Sequence, residues 1–152
     1  MLEKKDHQYF VRQRGGGGCG LCAINVVLAT YKLPMLVFPY SSRNGIVVKK
    51  ITLELRKEGV IPKVWDRVGI RFLKRLKAPA ILWYPPNGQN KNGGHYVVFG
   101  GIDGNRAKIY DSDNNGLEWL SFSELKKKWY RFYRGRRCGW AIVVYPKSNP
   151  TV

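Results

Sequence analysis

The segment that follows Cys19 constrains the fold of this chain more than any other. Residues 20–31 carry apolar side chains at helical spacing, and Pro34 prevents the helix from continuing much further. The pattern predicts a buried helix that begins at Cys19, directly after the glycines of residues 15–18. A thiol at the first turn of a helix lies at its positive end, which stabilises a thiolate. We therefore expect this helix to support a reactive cysteine as well as to form part of the core.

Three further residues complete a pattern typical of a nucleophilic cysteine. His95 and Asp111 follow Cys19 in the chain, and Gln13 precedes it by six positions. A histidine can take the thiol proton, a carboxylate can orient that histidine, and a glutamine amide can donate to a developing oxyanion. Taken alone, Cys19 could be a small buried side chain, His95 a strand residue and Asp111 a turn cap. Their combination indicates a cysteine protease.

The order of the predicted elements places helices before an antiparallel sheet, which is typical of an α+β fold. We expect strands over 7–14, 60–65, 80–84, 95–100, 107–111 and 140–145, further helices over 45–58, 70–76 and 122–130, and a basic loop over 131–139. Asp103-Gly104-Asn105 is a strong turn signal between two of these strands. Ser121-Phe-Ser-Glu124 is a capping box that opens the last helix. We predict a single domain over residues 1–152, with its core at about 8–146 and a tail at 147–152.

Short motifs along nearly the whole chain carry a family resemblance. They are Gln13, Cys19-Gly20, Lys77-Ala-Pro-Ala-Ile-Leu-Trp83, His95-Tyr-Val-Val-Phe99, Gly101-Ile-Asp-Gly-Asn-Arg106, Ile109-Tyr-Asp111, Gly116, Leu120-Ser-Phe-Ser-Glu-Leu125, Trp129 and Trp140-Ala-Ile-Val-Val-Tyr-Pro146. With these motifs the chain resembles the bacteriocin-processing peptidase domain of peptidase-containing ABC transporters. The resemblance implies a papain-like fold in which the nucleophile helix packs on an antiparallel sheet. It also implies cleavage of leader or precursor peptides after a Gly-Gly pair.

The resemblance implies a role for each of the four residues. Cys19 would be the nucleophile, His95 the general base and then the acid, and Asp111 the group that orients the imidazole. Gln13 and the Cys19 backbone N–H would form the oxyanion hole. The residues that flank this set are the candidate substrate-binding positions, namely Gly18, Gly20, Gly94 and Tyr96.

Cys19-Gly-Leu-Cys22 is also a C-x-x-C pair, which in other proteins indicates redox chemistry or zinc. A thioredoxin-like unit needs a strand, a helix and a strand before the motif, and the preceding glycine-rich segment is too short. Zinc needs two more ligands, and His7, His95 and Cys138 stand at spacings that match no finger pattern. We therefore predict no cofactor and no metal, and we expect Cys22 to be a core residue.

The charge of the chain indicates an acidic partner. Its 27 basic and 10 acidic residues give a net charge of +17, which attracts nucleic acid, acidic proteins or anionic membrane surfaces. Residues 126–137 interleave cations with aromatic rings, a composition that suits phosphates and bases, although lysines on a helix can also simply face solvent. The alternative function is therefore a basic binding or structural module with a peptidase-like fold. Its candidate contacts are Lys126, Lys127, Lys128, Arg131, Arg134, Arg136 and Arg137.

Neither a secretory signal nor a membrane-spanning segment is visible in the sequence. The N-terminus has no apolar central region, and no segment approaches the roughly 18 apolar residues of a span. Three cysteines are an odd number, which argues against a closed disulfide framework and for a reducing compartment. We expect a cytoplasmic protein.

Overall fold

An antiparallel sheet forms the centre of the protein, and helices cover both of its faces. The structure is a computed structural model that describes residues 19–36, 48–86, 94–112 and 116–147. Within these residues the sheet has the strand order β1-β7-β2-β3-β4-β5, with β6 paired to β7. The elements are α1 (Cys19–Thr30), α2 (Val48–Lys57), β1 (Ile61–Val68), α3 (Ile70–Arg75), β2 (Ala80–Tyr84), β3 (His95–Asp103), β4 (Arg106–Asp111), β5 (Gly116–Ser121), α4 (Phe122–Trp129), β6 (Arg131–Tyr133) and β7 (Arg136–Tyr145). The predicted α+β class is confirmed.

Alternating side chains along the strands build one apolar core on each face of the sheet. Ile81 on β2 and Ile142 on β7 pack with α1 and α2, whereas their neighbours Leu82 and Val143 pack with α3 and α4. This alternation follows from the two-residue repeat of a strand. The part of the chain that the structure describes contains no helix long and apolar enough to cross a membrane.

The predicted helix after Cys19 is almost completely buried. Ten of its twelve residues are buried, so α1 contributes apolar side chains on every side. Asn25 donates to the Leu36 carbonyl oxygen at 3.1 Å and accepts from the Leu36 N–H at 2.8 Å. The Tyr31 hydroxyl donates to the Val144 carbonyl oxygen of β7 at 2.6 Å. These contacts fix α1 against the sheet and thereby fix the position of Cys19 at its first turn.

The register of β3 and β4 brings His95 and Asp111 together. Val98 pairs with Tyr110 across the two antiparallel strands. Continuing this register by one residue puts Asp111 opposite Val97, which shares a face with His95. Residues related in this diagonal way are close enough for long side chains to meet. A sixteen-residue separation in sequence thus becomes a direct contact through the hairpin.

Residues 131–139, which we expected to be a basic loop, instead form a second hairpin. Strand β6 pairs with the first residues of β7, and the turn is Arg134-Gly135. Both turn residues have positive φ, 49° and 75°, which suits a tight hairpin whose twist matches its strands. The density of cations hid the strand pattern in the sequence. Strand β5 was also missed, and the expected strand over 7–14 and the tail at 148–152 lie outside the described residues.

The predicted capping box of α4 is present at the start of the helix, and Trp129 anchors its other end. The Ser121 hydroxyl accepts from the Glu124 N–H at 3.1 Å, and the Ser121 N–H donates to the Glu124 carboxylate at 3.0 Å. At the other end, the fully buried Trp129 ring lies on Gly139 and its Nε1–H donates to the Trp140 carbonyl oxygen at 2.8 Å. This anchor positions the start of β6 at the edge of the candidate active site.

Candidate active site

Cys19, His95 and Asp111 meet at the junction of α1 with the sheet. Cys19 is the first residue of α1, His95 is the first of β3, and Asp111 is the last of β4. His95 Nε2 lies 2.6 Å from Asp111 Oδ1, and the His95 side chain also hydrogen-bonds to the Cys19 side chain. All three side chains are buried, with Cys19 retaining 7% exposure. Three of the four residues predicted to act together are therefore in contact.

The surroundings of His95 favour its protonated form. Burial alone would lower the pKa of the imidazole, because a charged ring loses its hydration. The hydrogen bonds to Asp111 and Cys19, together with their negative charges, outweigh burial and raise the pKa of His95 from 6.5 to about 10. His95 therefore holds its proton at neutral pH. Since Nε2 faces Asp111, Nδ1 is the ring nitrogen available to the sulfur of Cys19.

Two tyrosines lie near these three residues. Burial and, secondly, the charge of Cys19 raise the pKa of Tyr96 to about 12, which is consistent with a ring close to the sulfur. Tyr84 pairs with His95 across β2 and β3, and their ring centroids are 6.3 Å apart. Burial and the charge of Asp111 raise the pKa of the Tyr84 phenol well above its usual value. Both tyrosines therefore stay neutral at neutral pH.

Of the candidate substrate-binding positions, Gly94 has a clear structural requirement. A Cβ atom at this position would overlap the indole ring of Trp83, so the chain just before His95 can approach the ring only as glycine. Gly20 is buried in the first turn of α1. Gln13 and Gly18 lie outside the described residues.

The two cysteines of the C-x-x-C pair lie on one buried helix, and neither is in a disulfide. Cys22 lies one turn after Cys19 and is 3% exposed, as expected for a core residue. Cys138, the third cysteine of the chain, is also buried and not in a disulfide. Among the residues that the structure describes, no three His, Cys, Asp or Glu side chains are grouped so as to hold a metal ion.

A cavity of about 310 Å³ is connected to the candidate catalytic residues through Tyr96, which lines it. Tyr96 is the residue after His95, and its ring is 6.3 Å from that of Trp140. No pattern in the sequence predicted this cavity, because its lining residues come from five elements spread along the chain. They are Val48 of α2, Trp83 of β2, Tyr96 of β3, Arg131 of β6 and Trp140 of β7.

Some cations of the predicted basic segment are exposed to solvent, and one of them lines this cavity. Lys126 and Lys127 are exposed on α4, whereas Lys128 lies 3.7 Å from Glu118. Arg131 is half-buried and lines the cavity, whereas the other cations of the hairpin are exposed. Those exposed hairpin cations are Arg134, Arg136 and Arg137.

Comparison with known proteins relates the chain to peptidases. The sequence pattern of the peptidase C39 family matches residues 7–133. The peptidase domain of Streptococcus ComA, a bifunctional ABC transporter involved in quorum sensing, superposes with a TM-score of 0.68 at 19% identity, covering 90% of this chain and 96% of that one. A double glycine motif protease from an AMS/PCAT transporter, in complex with the leader peptide, gives 0.64 at 22% identity, covering 90% and 89%. The Streptococcus mutans ComA peptidase domain gives 0.63 at 18% identity, covering 91% and 99%. The chain has no significant match among curated protein sequences.

Proposed function

This chain belongs to the peptidase C39 family, a family of cysteine peptidases, and we propose that it cleaves leader or precursor peptides after a Gly-Gly pair. The observation that carries the proposal is the hydrogen-bonded series from Cys19 through His95 to Asp111. The fold it shares with a double glycine motif protease that binds a leader peptide supports the same substrate class.

The proposed reaction begins with a Cys19 thiolate beside a protonated His95. The thiolate attacks the carbonyl carbon of the second glycine, and the carbonyl oxygen becomes an oxyanion that the Cys19 N–H and Gln13 would stabilise. His95 gives its proton to the leaving amine as the C–N bond breaks, which forms an acyl-enzyme. The neutral imidazole then takes a proton from water, the resulting hydroxide attacks the acyl carbon, and the thiolate leaves. Asp111 holds the ring in one orientation throughout.

Glycine specificity is consistent with the crowding around the proposed nucleophile. Tyr96 lies near the sulfur, and Trp83 packs directly on the chain before His95. Aromatic walls this close leave little room for a substrate side chain next to the scissile bond. A residue without a Cβ can approach where a larger one cannot.

Cleavage of defined peptides tests the proposal. Under reducing conditions, an acetylated and amidated peptide with one Gly-Gly pair is expected to be cut once, after the second glycine. Valine in place of that glycine is expected to lower kcat/KM at least about 10-fold, because its side chain would collide with the aromatic rings near the sulfur. Mass spectrometry locates the cut. A peptide of the same composition with its glycines separated is the control, and equal cleavage of both peptides would contradict the Gly-Gly specificity.

A second function is supported by the exposed face of the β6–β7 hairpin, which we propose binds single-stranded nucleic acid. Three guanidinium groups lie within 6 Å of the Tyr133 ring centroid. Phe132, the preceding residue, is 73% exposed and pairs across the hairpin with the exposed Arg137. Cations that contact phosphates and a free ring on which a base can stack are the two requirements of such a surface. The cations over Tyr133 are those of Arg67, Arg131 and Arg134.

Binding of a labelled single-stranded DNA of roughly 16 nucleotides tests this surface. We expect affinity to fall steeply with salt, and we expect joint replacement of Arg134, Arg136 and Arg137 by glutamine to flatten the salt slope by about 2, because fewer phosphates are neutralised. Fluorescence anisotropy measures both quantities. A triple glutamine variant at exposed cations elsewhere, Lys63, Arg71 and Arg75, removes the same charge. If that control loses as much affinity, the hairpin is not a specific surface.

A further inference from the structure

The cavity beside the candidate catalytic residues has aromatic walls and one cation. Trp83, Tyr96 and Trp140 supply apolar surface, and Arg131 supplies a guanidinium group. Trp83 contacts Gly94, the residue before His95, and Tyr96 is the residue after it. Burial and the charge of Cys19 both raise the pKa of Tyr96, which is consistent with a ring close to the sulfur. The cavity is therefore near enough to Cys19 to accept a side chain of a peptide bound there.

Arg131 lies close to two aromatic rings. Its guanidinium carbon lies 5.7 Å from the Trp83 ring centroid and 5.2 Å from the Tyr133 ring centroid. Rings at these distances attract the cation. The two rings therefore restrict the position of the group before any ligand arrives, which reduces the entropy that binding would cost.

One donor of this group has no acceptor. The Nε–H of Arg131 is buried and makes no hydrogen bond within the described residues. The ion pairs of the described residues likewise involve other cations and give Arg131 no carboxylate. A buried donor of a charged group is costly to leave without a partner. A carboxylate is the ligand that matches it best, because its two oxygens can accept parallel N–H bonds from Nε and one terminal nitrogen.

We propose that this cavity is a specificity subsite in which Arg131 binds an acidic side chain of the peptide substrate, within a few residues of the scissile bond. The inference rests on the proposed peptidase function for the identity of the bound molecule. The net charge of +17 acts in the same direction, because it raises the local concentration of acidic peptides. The occupant is a glutamate or aspartate side chain, so the charged ends of the peptide play no part.

Paired substrates test the subsite by cleavage. Each pair is acetylated and amidated, contains one Gly-Gly site, and differs only by glutamate or glutamine at one position, which is moved along the peptide on both sides of the site. At one position the wild-type protein is expected to prefer glutamate at least about 10-fold in kcat/KM. Arg131→Gln is expected to reduce that ratio to about 1 while still cleaving the glutamine peptide. Arg131→Lys is expected to restore part of it, since a point charge replaces a planar fork. Arg71→Gln, which removes an exposed cation on the opposite face of the sheet, is expected to keep the full ratio.

Binding to the Cys19→Ala protein separates the subsite from catalysis. Fluorescent versions of the same pairs are expected to show the same glutamate preference in Kd, lost with the additional Arg131→Gln change. If no peptide is cleaved but this preference is found, the subsite stands and the proposed reaction fails. If Gly-Gly peptides are cleaved with no glutamate preference at any position, or if Arg71→Gln abolishes the preference equally, the subsite is wrong. Absence of both cleavage and binding overturns both proposals.

Discussion

Replacing Cys19 by alanine is expected to lower kcat for cleavage of a Gly-Gly peptide by about 10⁴- to 10⁶-fold. The substitution removes the sulfur that hydrogen-bonds to His95 and leaves a protonated imidazole with no nucleophile to pair with. Product formation followed by mass spectrometry gives the rate, and the thermal unfolding midpoint shows whether the variant is folded.

Cys22→Ala is the matched control for this prediction. Cys22 is a buried cysteine one turn further along the same helix, so its replacement makes the same chemical change in a similar packing environment. The control is expected to keep a kcat close to that of the wild-type protein. Equal losses in the two variants would indicate a packing effect on α1, and full activity in Cys19→Ala would exclude Cys19 as the nucleophile.

Local sequence signals predicted those parts of the fold that depend on local chemistry. The capping box at Ser121 and the turn at Gly104 each require particular residue types at particular positions, and both are present. The hairpin of β6 and β7 was missed because both of its strands carry cations. Exposed strands of this kind need not show the alternation of apolar and polar residues that marks a half-buried strand. Arg134, which adopts a positive φ of 49°, gave no turn signal of its own.

In the candidate site, too, the features that depend on local chemistry were predicted and those that depend on long-range packing were not. The chain order of Cys19, His95 and Asp111 was visible in the sequence because each has a distinctive chemistry. The position of Arg131 beside Trp83 was not visible, because it results from the anchoring of Trp129 and from strand pairing across the sheet. Long-range packing therefore determines what surrounds the reactive groups, and this surrounding cavity is where the substrate preference of this chain is expected to be decided.

Replacing Asp111 by asparagine is expected to lower kcat at neutral pH by about 10²- to 10⁴-fold. The carboxylate both orients the imidazole and opposes the effect of burial on its protonation. Without that negative charge, burial lowers the pKa of His95 from its value of about 10, so less of the protein carries the proton needed by the leaving amine. An amide can also donate to Nε2, which favours the wrong tautomer of the ring.

The pH profile of kcat/KM distinguishes this role from a merely structural one. Because His95 loses its proton as pH rises, activity in the wild-type protein is expected to decline on the alkaline side near pH 10, and in Asp111→Asn this decline is expected at lower pH. Asp103→Asn removes the same charge from the exposed turn of the same hairpin and is expected to leave the profile unchanged. If kcat/KM declines at the same alkaline pH in Asp111→Asn as in the wild-type protein, the 2.6 Å contact between Asp111 and His95 does not control the protonation of His95, whatever the loss in rate.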